Sequence, residues 1–343
     1  MHLLQACKLA VIATAGIALA HPGAHEPSSY TSMNKRNFLH NARSSLDKCA
    51  DKLEERGIKA RAEARRAALL DKHRSAFVNT SRHSDLHVTL NTPADELSDK
   101  NPVCILAPEG EIGPFWVKGE LIRYDISDGE DGIPMYLDGQ LIDINTCEPI
   151  KDLYWDVWNC NATGVYSGVQ SSMNGNGDDD SNLDKTFLRG IRKTDEDGVA
   201  GFKTVFPGHY SGRTTHVHVV AHLNATLLPN NTLTGGYVPH IGQLFFDQDL
   251  ISAVETTYPY NTNTVAITEN ANDHVVIVET EDSNSDPFFQ YSLLGDSIED
   301  GIFAWVTLGV NSSVSHDSAV SYAATLISDG GVSISNAGSG VSF

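Results

Sequence analysis

From about residue 102 onward, apolar and polar residues alternate in short runs separated by Gly, Pro, Asn and Asp. Met135–Ile144, Leu153–Trp158, Gly201–Phe206, His216–His222, Gly242–Phe246 and His274–Thr280 carry the pattern. Side chains on a strand point to alternate faces, so a period of two marks a strand with one buried face. Short strands with frequent turn signals predict one β-sandwich over residues 102–308. Upstream the period changes. Leu39, Ala42, Leu46, Cys49, Leu53 and Ile58 recur at helical spacing, and an Ala/Arg-rich run follows. The spacing predicts a helix over 38–74, or two helices broken near Gly57. This segment either caps the main domain or joins two copies as a homodimer. The expected fold is mainly β, a β-sandwich core preceded by an N-terminal helical segment.

The flanks read differently. Residues 1–20 hold one basic residue, Lys8, then an apolar run from Leu9 that ends in Ala18-Leu19-Ala20. That run is too short to span a bilayer and reads as a cleaved signal peptide. Residues 21–37 read as an unfolded segment ending near the dibasic pair Lys35-Arg36, and residues 75–101 as a linker. Gly175–Asp180 is a polar loop, and the Ser/Gly/Ala-rich residues 309–343 form a flexible or loosely attached tail. No internal repeat is visible.

A leader peptide implies a secreted protein, extracellular or in a cell wall, and two features fit that location. Glycosylation sequons occur at Asn79, Asn161, Asn224, Asn230 and Asn311. Beyond the leader, Cys49, Cys104, Cys147 and Cys160 form an even set, which suggests two disulfides. Cys147 sits at the Glu148-Pro149 turn and Cys160 at the far end of the strand that follows. That pair lies beyond disulfide reach, while the other two connectivities stay open. The net charge is -20, and from residue 75 onward acidic residues outnumber basic ones more than threefold. Such a body repels nucleic acid and anionic membranes, so neither is an expected partner.

Candidate chemistry gathers in two segments. In Pro207-Gly208-His209-Tyr210-Ser211-Gly212-Arg213-Thr214-Thr215-His216-Val217-His218, a strand beginning near residue 215 would put His216 and His218 on one face. Two imidazoles so placed can chelate one metal ion, although His-x-His alone is common. His222 continues that face and is read as a neighbour rather than a ligand. In the second segment, Trp155–Gly168, a buried strand turns through Gly164 and presents Tyr166.

Together the segments resemble the intradiol ring-cleavage dioxygenases, the family of catechol 1,2-dioxygenases and protocatechuate 3,4-dioxygenases, and most closely its secreted fungal-type branch. The resemblance starts at Pro108-Glu109 and Gly113-Pro114-Phe115-Trp116. It runs through Trp158, Gly164-Val165-Tyr166-Ser167, Arg189-Gly190 and Thr204–Tyr210 to Arg213 and His216-Val217-His218, about half of the chain. It implies a mononuclear non-haem Fe(III) held by Tyr166, Tyr210, His216 and His218. It also implies that Arg213 faces the substrate, that Tyr210 is the tyrosinate displaced by it, and that Gln243 is the glutamine of a Gln-apolar-x-Phe strand. The implied reaction inserts both atoms of O2 into a catechol-type aromatic and opens it between the hydroxylated carbons to a muconate-type diacid. Independently of the family, two anionic phenolates favour a hard trivalent ion, and two imidazoles complete the protein donors while leaving room for exogenous ligands.

Bland readings stand beside these. Tyr154, Trp155 and Trp158 read as core aromatics. Trp116 either lines the pocket or packs in the core. His83, His87 and His240 read as surface residues. Two other functions fit part of the pattern. A secreted sandwich that binds wall or aromatic polymer without catalysis would leave the tyrosines and histidines apart. A different metalloenzyme built on His216 and His218 would need a nearby Glu and a distant third His, and neither occurs at suitable spacing.

Overall fold

A computed structural model of the 343-residue chain describes residues 49–77, 112–174, 179–280, 286–327 and 330–333. The leader, residues 21–37 with Lys35-Arg36, the first part of the helical segment, and residues 78–101 with Asn79, His83 and His87 lie outside them. So do Cys104, Pro108-Glu109 and most of the Gly175–Asp180 loop.

The helical segment is broken where the sequence suggested. Residues 49–55 are helical, Gly57 has φ +63°, and helix α1 runs from Ile58 to Phe77. A left-handed residue ends a helix, and glycine takes that conformation without a Cβ clash. Ala, Arg, Leu, Lys and Glu, all good helix formers, then fill α1. Its buried stripe is Ile58, Ala62, Arg66, Leu70 and His73, one residue per turn.

Strands β1 (Val117–Lys118), β2 (Pro134–Asp143), β3 (Glu148–Pro149), β4 (Tyr154–Trp158), β5 (Arg189–Lys193), β6 (Val199–Val205) and β7 (His216–Leu223) come first. Then follow β8 (Thr226–Leu227), β9 (Leu233–Thr234), β10 (Tyr237–Phe245), helix α2 (Gln248–Glu255), helix α3 (His274–Thr280), β11 (Gln290–Leu293), β12 (Ile302–Val310), β13 (Ala324–Ile327) and β14 (Gly330–Ser333). One sheet has the order β10-β7-β4-β5 and is antiparallel throughout. In the other, β2 is central: β12 runs parallel on one side with β11 beyond it, and β6 and β3 share the opposite edge. The mainly β expectation holds. Between the sheets, Trp155, Val157, Val217, Val219, Ala221 and Leu244 pack with Leu137, Leu141, Phe202, Ala304, Val306 and Leu308.

Helix α1 covers the outer face of the second sheet, so its buried stripe serves this chain's own domain. Leu70 packs with Phe303 and Trp305, and Arg65 and Arg66 converge on the buried Asp138 at 2.8 and 3.1 Å. The two cations hold the Asp138 carboxyl below its ordinary range against the opposing effect of burial. A disulfide joins Cys49 to Cys147 and staples the helical segment to the sandwich.

Several expectations need correction. His274–Thr280 is a helix, not a strand. Its apolar run is β-branched, but Asp273 accepts hydrogen bonds from the amides of Val275 and Val276 and starts a helix whose Val275 and Val276 pack on Phe245. Local capping and packing override strand propensity here. The segment read as a loose tail is attached through residue 327. Val320, Ala323 and Ala324 are buried, and β13 pairs in parallel with β1. Cys160 is a buried free thiol 3.4 Å from the Gly208 carbonyl, so the second expected disulfide does not involve it. Among the described residues, no helix is long and apolar enough to cross a membrane.

Candidate metal centre

Alternation along β7 decides which side chains reach the site. Val217, Val219 and Ala221 point into the core between the sheets, so His216, His218 and His222 point to the outer face of the four-stranded sheet. That face is roofed by Ile112, Phe115, Trp116, Val117, Val320 and Ala323. The neighbouring strands place Trp158 and Gln243 opposite His218, and Phe245 opposite His216.

Two loops bring the phenols to the same place. Asn161 closes the turn before Tyr166, its Oδ1 accepting from the amides of Thr163 and Val165. Two buried asparagines then clamp the Tyr166 backbone. Asn174 accepts from its N–H at 2.8 Å, and the side-chain amides of Asn174 and Asn182 donate to its carbonyl at 2.8 and 2.7 Å. Tyr210 is held through its neighbour: His209 Nδ1 lies 2.6 Å from Glu255 and Nε2 lies 3.0 Å from the Val265 carbonyl.

The four side chains expected as ligands meet. His216 Nε2 lies 3.1 Å from His218 Nε2, 3.4 Å from the Tyr166 hydroxyl and 3.5 Å from the Tyr210 hydroxyl. Donors bound to one ion at about 2.0–2.2 Å are separated from each other by about 3.0–3.5 Å at ordinary coordination angles. The three separations around His216 therefore match those of donors that share a single ion. Each imidazole is separately aimed. His216 Nδ1 lies 2.6 Å from the Thr214 carbonyl, to which it donates, so Nε2 presents its lone pair to the site. The His218 ring stacks on Trp158 with centroids 4.8 Å apart and planes 3° from parallel. Gly113 also lies against this ring, where an added Cβ would stand 2.6 Å from His218 Cε1.

Electrostatics make the phenols dependent on a cation. Burial pushes the Tyr166 hydroxyl well above its ordinary pKa, reinforced by the neighbouring Tyr210. Burial likewise raises Tyr210, against the opposing pull of Arg213. A bound trivalent ion is the kind of local charge that reverses this preference. Among the described residues, no group of three or more His, Cys, Asp or Glu is placed to hold a metal. Beyond the two imidazoles, the side-chain donors the site offers are the phenols.

Arg213 is fully buried beside them. Its Nη1 lies 3.5 Å from the Tyr210 hydroxyl, Nη2 donates to Gln243 Oε1 at 2.5 Å, and Nε donates to Asp273 at 2.8 Å. Gln243 thus lies beside Arg213. His222, expected as a neighbour and not a ligand, has other partners. It pairs with Asp156 at 3.4 Å and stacks on Trp116, whose indole N–H donates to the same carboxylate.

Three site residues escaped the sequence reading. Trp158, read as core, faces His218; the alternation of β4 implies this once Trp155 is assigned to the core. Asp273 lay beside a run read as a strand, although an Asp just before an apolar helical turn is a capping signal. Arg189, its guanidinium 5.8 Å from the Tyr166 ring centroid, carried no signal beyond its place in the family pattern. His240, expected at the surface, is buried, and burial together with His316 lowers its pKa to about 3.

A family model described as Dioxygenase matches residues 116–273. An intradiol ring-cleavage dioxygenase from Tetranychus urticae is 29% identical over 61% of this chain and 95% of its own, with a TM-score of 0.49. A second dioxygenase structure is 30% identical over 61% of this chain and 95% of its own, with a TM-score of 0.48. Hydroxyquinol 1,2-dioxygenase from Pseudomonas putida is 16% identical over 83% of this chain and 84% of its own, with a TM-score of 0.37. No curated protein matches the sequence significantly.

Proposed function

The chain belongs to the intradiol ring-cleavage dioxygenases, and from that premise we propose that it is a secreted enzyme holding one non-haem Fe(III) and opening catechol-type aromatics with O2. The observation that carries this reading is that His216 Nε2 lies within 3.1 to 3.5 Å of His218 Nε2 and of the Tyr166 and Tyr210 hydroxyls.

When bound, the iron would supply Lewis-acid and electron-accepting chemistry to a catecholate and act as its template. The protein's share can be stated from its own groups. Two phenolates, Tyr166 and Tyr210, and two imidazoles, His216 and His218, would hold the ion and favour its trivalent state. The Tyr210 oxygen, ionised in the loaded site, is the base that takes a proton from an incoming catechol hydroxyl. Arg213, its charge undiluted by water in a fully buried position, stabilises negative charge that develops on the ring. Gln243 holds the guanidinium from one side. Phe115 packs against both tyrosine rings, with centroids 4.9 and 6.0 Å apart, and keeps water from the phenols.

Secretion is supported by the leader pattern of residues 1–20 and by the Cys49–Cys147 disulfide. The acidic body disfavours carboxylated substrates over neutral catechols.

The test is direct. Purified protein should be red-brown, carry one iron per chain by elemental analysis, and consume one O2 per catechol. Mass spectrometry should then find both oxygen atoms of labelled O2 in a ring-opened diacid. A colourless, iron-free protein that turns over no member of a catechol, hydroxyquinol and protocatechuate panel after iron loading would overturn the reading.

A further inference from the structure

We propose that Asp273 is the positioning residue that aims Arg213 at the reacting ring and ties that aim to the His216 strand and to helix α3. This rests on the reading of Arg213 as the residue facing the substrate.

Both side chains are fully buried, although 60 residues separate them. Asp273 Oδ2 accepts from Arg213 Nε and from the Thr214 amide, each at 2.8 Å. Oδ1 accepts from Arg213 Nη2 at 3.4 Å and from the amides of Val275 and Val276 at 2.9 and 3.0 Å. Gln243 takes a further Nη2 hydrogen bond, so Nε and Nη2 are committed to fixed partners and Nη1 is directed at the Tyr210 hydroxyl. Thr214, which Asp273 holds by its N–H, also holds His216 by its carbonyl. One carboxylate therefore sets the guanidinium, the approach to β7 and the start of α3. It also supplies the anion that a guanidinium out of water requires.

The neutral isostere exposes this role. Every partner of Asp273 is a donor on both oxygens. In Asp273→Asn, the amide NH2 must face either Arg213 Nε and Thr214 N, or Arg213 Nη2 and the two valine amides. Donor meets donor in each case, and Arg213 loses its aim while the volume is unchanged.

The experiment compares Asp273→Asn, Arg213→Gln and the double variant by steady-state O2 uptake with catechol, alongside Tm and iron content. Asp273→Asn should lower kcat by about 10- to 100-fold, as misplacement near 1 Å does, with KM moving less than about threefold. The double variant should have the kcat of Arg213→Gln alone, because Asp273 acts through Arg213. A kcat for Asp273→Asn within about twofold of wild type, or losses that multiply in the double variant, would overturn the proposal. If Asp273→Asn does not fold, the double variant, which removes the unpaired buried charge, is compared with Arg213→Gln; a lower kcat in the double variant overturns it. Wild-type activity in Arg213→Gln would instead defeat the reading of Arg213 itself.

Discussion

Replacing Gly113 with alanine tests whether His218 points where the structure places it. The added Cβ would stand 2.6 Å from His218 Cε1, whereas ordinary contact begins near 3.4 Å, so the ring must retreat by about 0.8 Å. The ring is also stacked on Trp158, 3° from parallel, so moving it disturbs that contact. Gly113 also has φ +74°, a conformation that costs a side-chain-bearing residue about 1–2 kcal/mol on its own. Gly129 separates the two effects. Its φ is +79°, yet an added Cβ meets nothing within 4 Å. Both variants should show the backbone cost in thermal melts, but Gly113→Ala should lose more stability, by about 1–3 kcal/mol for the clash, and it alone should displace an imidazole. A ligand shifted by most of an ångström predicts a loss in turnover of about 10²-fold, with weaker iron retention during dialysis against a chelator. The assay is iron per chain and kcat for both variants at matched protein concentration. If Gly113→Ala holds iron and turns over as Gly129→Ala does, His218 is not a ligand in the proposed sense.

Other consequences can be checked separately. Tyr166→Phe removes one phenol oxygen from the site, so it should shift or bleach the visible charge-transfer band and weaken iron retention; unchanged colour and turnover would remove Tyr166 from the donor set. Cys49→Ser opens a loop of 98 residues and should destabilise the folded protein by about 2–5 kcal/mol in urea melts, while a variant with the wild-type midpoint would show that α1 is held without the staple. His240, lowered to about 3 by burial and His316, takes up its proton far less readily when folded than when unfolded. Stability should thus be full above about pH 6.5 and fall toward pH 3, by a sum on the order of 4 kcal/mol. His240→Leu should flatten that acid limb, and parallel limbs for the two proteins would refute the assignment.

The sandwich was legible because β2, β4, β6, β7 and β10 each alternate with one face turned to a shared core, and period two survives without any knowledge of pairing. The four candidate donors were legible because two short motifs hold them at fixed spacing. What escaped depends on contacts between distant segments. Trp158 is apolar on a buried strand whichever face it occupies, and only its register against His218 makes it a wall of the site. Asp273 caps a helix of seven residues whose β-branched run mimics a strand, and its second role needs Arg213 folded against it. The Ser/Gly/Ala-rich C-terminal segment lacks a strong apolar pattern, yet small residues such as Ala323 and Ala324 suit a tight seat beside β1 and the aromatic roof. An even cysteine count suggested two bridges, but Cys160 has its own place against the Gly208 carbonyl.

One strand joins stability to chemistry here. A slip of β7 by one residue would drive His216 and His218 into the core and expel Val217 and Val219, so the register is guarded by both sheets at once. The imidazoles therefore inherit their positions from the core. The phenols do not, since each sits on a loop with its own anchor. Tyr166 is pinned through its backbone by Asn174 and Asn182, whereas Tyr210 is held through His209 and Glu255. These anchors share no residue, so the two phenols are set in place independently of each other.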